Sequence, residues 1–404
     1  MTRTPTLPAF AIFAAMIAAA GLPLYIHAPK FYVDEYGVSL AALGTVLFGL
    51  RLLDFVQDPV LGKLATVWRN KRGLSVCVAA LTMAAAMLGL FSVAPATTPL
   101  VWFAVMLTLV FSSFSYLTIC FYAEGVSSAQ RIEGQGHIKL ARWRETGALL
   151  GICAASVAPI AIGGYGGFAF AFAILTVVAL WAMRREWGGS EVESSTGFAG
   201  VLSDPVARRL LMVALFNAAP VAVSSTLFLF FVESKLDAPG WEGPFLLLFF
   251  LSAALAAPFW SRLAEAIGER KVLLVAMVLA IAAFGFAVTL GAGDTWAFGL
   301  ICLASGAALG ADMTLLPALF ARRMEKVSPG ASEGFGLWSF VSKFTLALAA
   351  VTLLPLLESG GFQAGQENTE DALRLLSLLY GALPCVLKLL AIGLLVSINF
   401  EDKE

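Results

Sequence analysis

Residues 39–65 read SLAALGTVLFGLRLLDFVQDPVLGKLA, an apolar run with Arg51, Asp54 and Asp58 in its middle part and Lys63 near its end. A run of this length can cross a bilayer as a helix, where a charged side chain at the centre costs about 3 kcal/mol or more. The two aspartates, four positions apart, share one face of that helix, and the arginine lies on nearly the same face. Charges at this cost are candidates for a functional site. The alternative is an ion-pair cluster that only braces helices.

The charge count around this run favours a functional site. Two acids and one adjacent base leave one negative charge over. A further positive partner is therefore expected, which is either a bound cation or a lysine from another helix.

The composition excludes several classes of protein. The 404 residues are 59% hydrophobic and 13% charged, which is too apolar for a soluble domain and typical of a multi-span helical membrane protein. The net charge of −1 gives no reason to expect a nucleic-acid partner. His27 and His137 are far apart, and the five cysteines form no CxxC pair, so we expect neither a metal cage nor a disulfide framework. No nucleophile–base constellation is present, so we expect neither an enzyme nor a cofactor.

Twelve apolar stretches predict an all-α membrane protein with twelve transmembrane helices, because only helices satisfy their own backbone in lipid at this length. We read the first stretch as a retained span rather than a cleaved signal peptide. The stretches lie near residues 8–28, 39–66, 75–95, 98–123, 138–162, 165–184, 208–233, 243–267, 272–292, 295–321, 331–357 and 372–399.

The distribution of lysine and arginine predicts that both termini are cytoplasmic. Connections after odd-numbered spans hold few basic residues, chiefly Lys30, Lys235 and Arg374. The connections after even-numbered spans carry Lys63, Arg69, Lys71, Arg72, Arg131, Lys139, Arg184, Arg185, Arg208, Arg209, Arg262, Arg270, Lys271, Arg322, Arg323 and Lys326. We expect a plasma membrane location, in bacteria the inner membrane.

A polar connection divides the chain into two halves of six helices. We predict an N-terminal bundle over 1–184, a cytoplasmic linker over 185–209 and a C-terminal bundle over 210–404. A weak internal repeat supports this division, because the segment from Pro59 resembles the segment from Pro258. We therefore predict an architecture of two six-helix bundles.

The internal repeat fails at the two acids. In the second half, alanines 253 and 257 stand where Asp54 and Asp58 stand in the first. The acids therefore belong to one half only, which suits a cation site better than a shared structural device.

Several motifs together resemble one known family. The plan of the chain is similar to the major facilitator superfamily, and the motifs resemble its glycoside–pentoside–hexuronide:cation symporter branch, the melibiose permease-like proteins. The motifs are Arg51-x-x-Asp54-x-x-x-Asp58-Pro59 with the basic turn through Arg72, Gly310-Ala-Asp312 with Leu-Pro317, and Gly334-Phe-Gly-Leu-Trp338-Ser-Phe-Val-Ser-Lys343.

The resemblance implies that Asp54 and Asp58 bind the coupling cation and that Lys343 lies close to them as a compensating charge. Lys343 is about twelve residues into its span, or about 18 Å, and therefore near mid-membrane. Arg51 is expected to pair with one of the acids and tune its affinity. Carboxylates are hard ligands that suit Na⁺, Li⁺ or H⁺, and our preference for Na⁺ rests on the resemblance.

The solute site departs from the galactoside-carrying members of the family. Those members hold sugar hydroxyls with two acids, and Ala18 and Thr118 stand at these positions here. The resemblance leaves galactoside transport in doubt although the cation motif is intact. The residues expected to line the solute cavity are Tyr25, Tyr116, Thr118, Trp338 and Asp312.

Other charged residues allow more than one reading. Arg142 and Arg144 fall where the family has basic residues at an inner gate, although arginines at inner helix ends are also ordinary anchors. Asp312 and Lys388 both fall near mid-depth, where they can pair with each other or with solute, or Lys388 can extend towards the interface.

The function we expect is cation-coupled symport of a small solute, such as a sugar or glycoside, by alternating access. One alternative is transport of a lysolipid or other amphiphile on the same fold, because the second half is rich in phenylalanine. Another is a membrane sensor that does not transport, for which the acids of the second span would be dispensable. The expected partners are the solute and membrane lipid, and a monomer is expected.

Overall fold

The computed structural model of the chain describes residues 5–187, 197–328, 332–363 and 367–398. These residues form helices joined by short connections, and no strand occurs among them. This confirms the all-α membrane fold expected from the apolar runs.

The first half of the chain contains seven α-helices in its described part. A short 3₁₀ turn at Arg69–Lys71 separates the third from the fourth. The helices are α1 (Leu7–Ala19), α2 (Leu22–Tyr36), α3 (Leu40–Val67), α4 (Arg72–Phe91), α5 (Pro99–Gln130), α6 (Gly136–Ala161) and α7 (Gly164–Met183).

The second half is also helical, with π-helical turns at Phe231–Lys235 and Leu378–Ala382. Its helices are α8 (Gly197–Ser203), α9 (Pro205–Phe230), α10 (Glu242–Ile267), α11 (Glu269–Ala287), α12 (Thr295–Val327), α13 (Ser332–Ser359), α14 (Glu370–Ser377) and α15 (Leu383–Ser397).

Each of the twelve predicted spans has a helical counterpart, but the first is not continuous. It breaks between α1 and α2 at Gly21, whose ψ of −116° is not helical. Pro23 explains the break, because it has no N–H to bond to the carbonyl of Ala19 four residues earlier and its ring clashes with that carbonyl, whereas a proline is well tolerated in the first turn of a new helix. The single span predicted over 8–28 was therefore wrong in its continuity.

In the described part of the chain, nine stretches are long and apolar enough to cross a membrane by these features alone. The other predicted spans fall short for reasons visible in their sequences. The first is divided in two, α3 contains two acids within its apolar run, and α6 begins with a run of charged residues.

The chain separates into two compact units. The first contains Met1–Val201 and Ala321–Phe340, and the second contains Leu202–Phe320 and Val341–Glu404. Helices α12 and α13 thus each contribute residues to both units. The division into 1–184, 185–209 and 210–404 stays a prediction, and residues 188–196 of the predicted linker lie outside the described part.

The first unit is held together by a very close approach of α1 and α6. A Cβ atom added to Gly147 would lie 2.6 Å from the Cα of Ala11, and one added to Gly151 would lie 2.6 Å from the Cα of Ala15. No real Cβ comes that near to backbone, so both positions require glycine. Small residues at such crossings let helix backbones meet without a hydrophobic driving force in lipid.

The second unit has an aromatic core next to its π-helical turns. Phe231 stacks on Tyr380 with ring centroids 4.2 Å apart, and Phe298 packs against Phe231 at 5.5 Å. Helix α12 also approaches α10 closely, since a Cβ on Gly310 would lie 2.5 Å from the carbonyl oxygen of Ala253. These contacts position the middle of α12, which carries a buried charge.

The close approach of α1 and α6 predicts that Gly151→Ala destabilises the protein. Overpacking of this kind costs about 1–3 kcal/mol, because one helix backbone must move away from the other. Thermal unfolding of purified protein in one detergent measures the effect. Gly44→Ala in α3 is the matched control, because nothing lies within 4 Å of its added Cβ and alanine is the better helix former. Equal melting temperatures for the two variants would contradict the packing described.

Candidate functional site

Helix α3 turns its two acids towards the protein and its apolar residues outwards. The exposed fraction is 2% for Asp54 and 0% for Asp58, whereas Val56 and Val60 are 66% and 63% exposed. Because the acids are one helical turn apart, both carboxylates lie on the same inner face. The charges are therefore not in contact with lipid.

A chain of neutral polar groups from α3 and α5 contacts Asp54. The side-chain amide of Gln57 donates a hydrogen bond from Nε2 to Asp54 Oδ1 at 2.7 Å. The hydroxyl of Ser112 donates in turn to Gln57 Oε1 at 2.9 Å. The Gln57 amide nitrogen thus faces the buried carboxylate, and the amide and hydroxyl oxygens of the chain, which are hard ligands, lie one bond further away.

Asp58 is reached by the first part of α13. The hydroxyl of Ser339 donates a hydrogen bond to Asp58 Oδ2 at 2.7 Å. The two helices can come this close because glycines meet where they cross, and a Cβ on Gly336 would lie 3.2 Å from the Cα of Gly62. The Gly-Phe-Gly motif thus has a physical role, since it allows α13 to place a hydroxyl on the second acid.

The residues predicted to compensate the acids are only partly described. The side chain of Arg51 lies outside what the structure describes, so its expected pairing stays a prediction. Lys343 is half-buried on α13 and belongs to the second unit. It follows Ser339 by four residues, so both side chains leave the same face of that helix.

The residues predicted to line the solute cavity are distributed over both units. The side chain of Tyr25 is outside the described part. Tyr116 is buried, and the Thr118 hydroxyl donates to the carbonyl of Phe114 one turn earlier at 2.7 Å. Trp338 is half-buried and lies in the first unit, whereas Asp312 lies in the second.

Asp312 is paired with Lys388 in the second unit. The Lys388 ammonium on α15 donates to Asp312 Oδ2 on α12 and to Asn217 Oδ1 on α9, the latter at 2.6 Å. All three residues are buried. Of the three alternatives left open by the sequence, this geometry favours pairing between the two residues over extension of Lys388 to the interface.

The two predicted gate arginines differ in their surroundings. Arg142 is half-buried, but Arg144 is buried and donates from Nε to Glu145 Oε1 at 2.7 Å. The Tyr122 hydroxyl donates to the same oxygen at 2.8 Å, and the Arg144 guanidinium lies 3.7 Å from the centroid of the Tyr122 ring. A neutral, closely packed cluster of three side chains therefore joins α5 to α6.

A third buried ion pair lies between α4 and α5, and the sequence analysis missed it. Glu124 accepts from Arg72 at 3.2 Å, and Arg131 lies 3.9 Å from its other oxygen. Arg72 also donates to Ser332 in the first turn of α13 at 3.2 Å. The available signal was an acid, Glu124, in an otherwise apolar helix, which requires a basic partner nearby.

Gln57, Ser112 and Ser339 were also not identified from the sequence. Neutral side chains carry no cost that marks them in an apolar run, and only Gln57 could have been suspected from its place between the acids. The described residues include no group of three or more histidines, cysteines, aspartates or glutamates that could hold a metal ion.

Buried ionic groups inside apolar helices, carried by two compact helical units, are typical of a multi-pass membrane transporter. Comparison with protein families agrees. Residues 8–402 match the model of the MFS/sugar transport protein family. The chain belongs to this family of the major facilitator superfamily, which contains the melibiose permease-like proteins. The resemblance seen in the motifs is thereby confirmed.

Similar solved structures share the fold over nearly the whole chain. A bacterial homologue of the iron transporter ferroportin, in an outward-facing state with soaked iron, has a TM-score of 0.72 at 15% identity and covers 97% of this chain and 99% of its own. The human organic anion transporter MFSD10 (TETRAN) has a TM-score of 0.66 at 18% identity, with coverage of 96% and 98%. Curated protein sequences give no significant match. At these identities the likeness concerns the fold alone.

The Asp312–Lys388 pair predicts a characteristic pattern of stability. Removing one charge, as in Asp312→Asn or Lys388→Met, leaves the other buried and uncompensated, and each is expected to cost about 3–5 kcal/mol. The double variant removes both charges and is expected to be more stable than either single variant. Thermal unfolding of the four proteins measures this. A double variant that is less stable than both single variants would contradict the conclusion that Asp312 and Lys388 compensate each other's charge.

Proposed function

We propose that the protein is a cation-coupled symporter in which Asp54 and Asp58 bind the coupling ion. The observation that supports this most is the burial of two carboxylates one turn apart, of which Asp54 accepts a hydrogen bond from Gln57 and Asp58 accepts one from Ser339. Two negative charges held this close in a low dielectric repel each other strongly, so binding a positive ion between them is favourable.

The chemistry of the site suits a hard monovalent cation. Carboxylate, amide and hydroxyl oxygens are ligands for Na⁺ and Li⁺, and either carboxylate can instead take a proton. We propose Na⁺ with H⁺ as its competitor, a choice supported by the resemblance of the motif. Sodium would be bound by the two acids together with Gln57 Oε1, once the amide turns its oxygen towards the ion.

Coupling would follow from the contacts of the two acids. Cation binding would remove the repulsion between Asp54 and Asp58 and thereby favour the arrangement that binds solute. After the ion leaves, Lys343 would serve as the internal counter-charge, with Arg51 tuning the affinity. This proposal is supported by the position of Lys343 one turn beyond Ser339, which itself bonds to Asp58.

The solute we propose is a small polar molecule, such as a sugar or glycoside. The description of the matching family supports this class, and the aromatic and polar side chains of Tyr25, Tyr116, Thr118 and Trp338 are its proposed contacts. A transported amphiphile is the second candidate. Two contacts favour this candidate: the Thr118 hydroxyl donates to the carbonyl of Phe114, and Asp312 pairs with Lys388. Both contacts occupy polar groups that would otherwise bind sugar hydroxyls.

The proposed setting is the plasma membrane, in bacteria the inner membrane, with both termini in the cytoplasm and the protein as a monomer. The support is the basic residues that follow even-numbered spans, since positive charge accumulates on the cytoplasmic side. Arg142 and Arg144 would then lie at the inner end of the first unit. We propose that they form part of the inner gate, with Arg144 held by Glu145 and Tyr122.

Substitution of the two acids tests the cation site. A ligand that binds only the folded state raises its stability, so Na⁺ or acid is expected to raise the melting temperature of the wild type in a saturable way. Asp54→Asn and Asp58→Asn are each expected to weaken this response at least about tenfold in apparent affinity, because a buried charge contact with the ion is lost. Thermal unfolding over a range of Na⁺ concentrations and pH measures it.

Glu35→Gln is the matched control, because it removes one exposed acid at the end of α2 and should leave the response unchanged. Ser339→Ala removes a neutral contact and should weaken the response less than either aspartate variant does. An unchanged response in both aspartate variants would contradict the proposed site and would favour a protein that does not transport.

A screen of purified protein against solutes tests the proposed class. Sugars, glycosides, lysolipids and organic anions are each added with and without Na⁺, and thermal stability is recorded. We expect a sugar or glycoside to stabilise the protein more in the presence of the ion, because the two ligands favour the same state. Stabilisation by a lysolipid alone would support the second candidate instead.

A further inference from the structure

His137 and Glu325 form a contact that the proposed transport mechanism does not use. His137 lies in the first turn of α6, and its Nε2 atom is 2.7 Å from Glu325 Oε2 near the end of α12. The exposed fraction is 10% for His137 and 33% for Glu325. The His137 side chain is therefore largely removed from water, whereas the Glu325 side chain is still partly exposed to water.

The end of α12 and the beginning of α13 belong to the first unit as one segment. We call residues 321–328 and 332–340 the docked segment, and Ala321–Phe340 as a whole is assigned to this unit. It contacts the rest of the unit at several points besides His137. Ser332 accepts from Arg72, Phe335 packs on Tyr122 with centroids 5.1 Å apart, and Ser339 donates to Asp58.

The charges that face His137 act in opposite directions. Burial lowers the pKa of His137, and Arg322 on α12 and Arg144 on α6 lower it further, whereas Glu325 raises it. Burial is the largest of these effects, and the net direction is down. His137 precedes the span predicted over 138–162, so it can exchange protons with the aqueous side of the protein. The uncharged imidazole is the form that the docked arrangement prefers.

We propose that the His137–Glu325 contact is a pH-sensitive switch that holds the docked segment in place while His137 is neutral and loosens it when His137 is protonated. The neutral ring donates its N–H to the Glu325 carboxylate, which is a charge-assisted hydrogen bond. Protonation adds a positive charge in a buried place beside two arginines. Because Ser339 of the same segment bonds to Asp58, the switch would also modulate the cation site, and this last step rests on the function proposed above.

The direction of the effect follows from linkage. When the segment is released, His137 meets water and its pKa returns to about 6.5. The docked state therefore binds the proton less well than the released state, and its stability is complete above about pH 6.5 and falls as the pH drops below that value. Acid on the side of the docked segment would favour release. This is the range in which histidine responds to physiological changes in pH.

Hydrogen–deuterium exchange of the docked segment tests the switch in purified full-length protein. Wild type and His137→Gln are compared at pH 7.5 and again at pH 5.5, so that the intrinsic pH dependence of exchange cancels at each pH. The glutamine still donates a hydrogen bond to Glu325 but does not titrate. We expect the exchange rate of wild type relative to the variant to rise about threefold or more between pH 7.5 and 5.5.

Two further variants sharpen the test. Glu325→Gln removes the acidic partner that favours protonated His137, so it should show a larger acid effect than wild type. His27→Gln replaces the other histidine and should behave as wild type does. A ratio that is the same at both pH values, or greater protection of wild type in acid, would overturn the proposal. The assay needs neither Na⁺ nor solute, so its outcome is independent of the proposed symport.

Discussion

The cost of placing a charge in a low dielectric is the constraint on which this structure depends. A membrane helix gains nothing from a buried carboxylate unless another group compensates it, and α3 contains two carboxylates on one face. The helix accommodates them by turning that face inwards and its valines outwards. Everything proposed about coupling follows from where these two charges lie and from the neutral polar groups that contact them.

Three other pairs of buried charges in the described part of the chain show how the same cost is met without a mobile ion. Lys388 lies against Asp312 in the second unit, and in the first Arg144 lies against Glu145 and Arg72 against Glu124. One member of each pair also forms a hydrogen bond with a neutral side chain, which is the amide of Asn217, the hydroxyl of Tyr122 or the hydroxyl of Ser332. Internal pairs brace the helices, while the acids of α3 are the group for which a cation is proposed.

Close helix crossings make these charge contacts possible. Where glycines replace larger residues, backbones meet and side chains from two helices reach each other, as Gly62 and Gly336 show beside Asp58. The crossing of α1 and α6 at Gly147 and Gly151 follows the same rule. In lipid, where apolar side chains gain little by leaving their surroundings, such packing supplies much of the cohesion between helices.

The parts of the molecule that could be predicted are those governed by hydropathy. The second span was predicted over 39–66 and is helical over Leu40–Val67, because a long apolar run leaves the backbone no alternative in lipid. Hydropathy does not register a backbone break, so the interruption at Gly21 was missed. It also does not show that α5 continues to Gln130 and α12 to Val327, since these polar ends stay helical beyond the predicted membrane span.

In the candidate site, too, some residues could be predicted from the sequence and others could not. Asp54 and Asp58 could be identified because each carries a cost that requires an explanation. Gln57, Ser112 and Ser339 could not, because neutral polar residues are inexpensive in a helix and their pairing depends on which helices meet. Family membership and fold establish a major facilitator transporter, while the ion and the solute depend on such contacts.

The most direct test of the cation site is charge displacement in proteoliposomes adsorbed to a solid-supported membrane. A sudden rise in Na⁺ or H⁺, without any solute, moves charge into the protein if an ion enters a buried site. The account predicts a saturable transient current in wild type with at least one of these ions, and its loss in the Asp54→Asn/Asp58→Asn double variant. An identical current in the double variant, or no current in wild type with either ion, would contradict it.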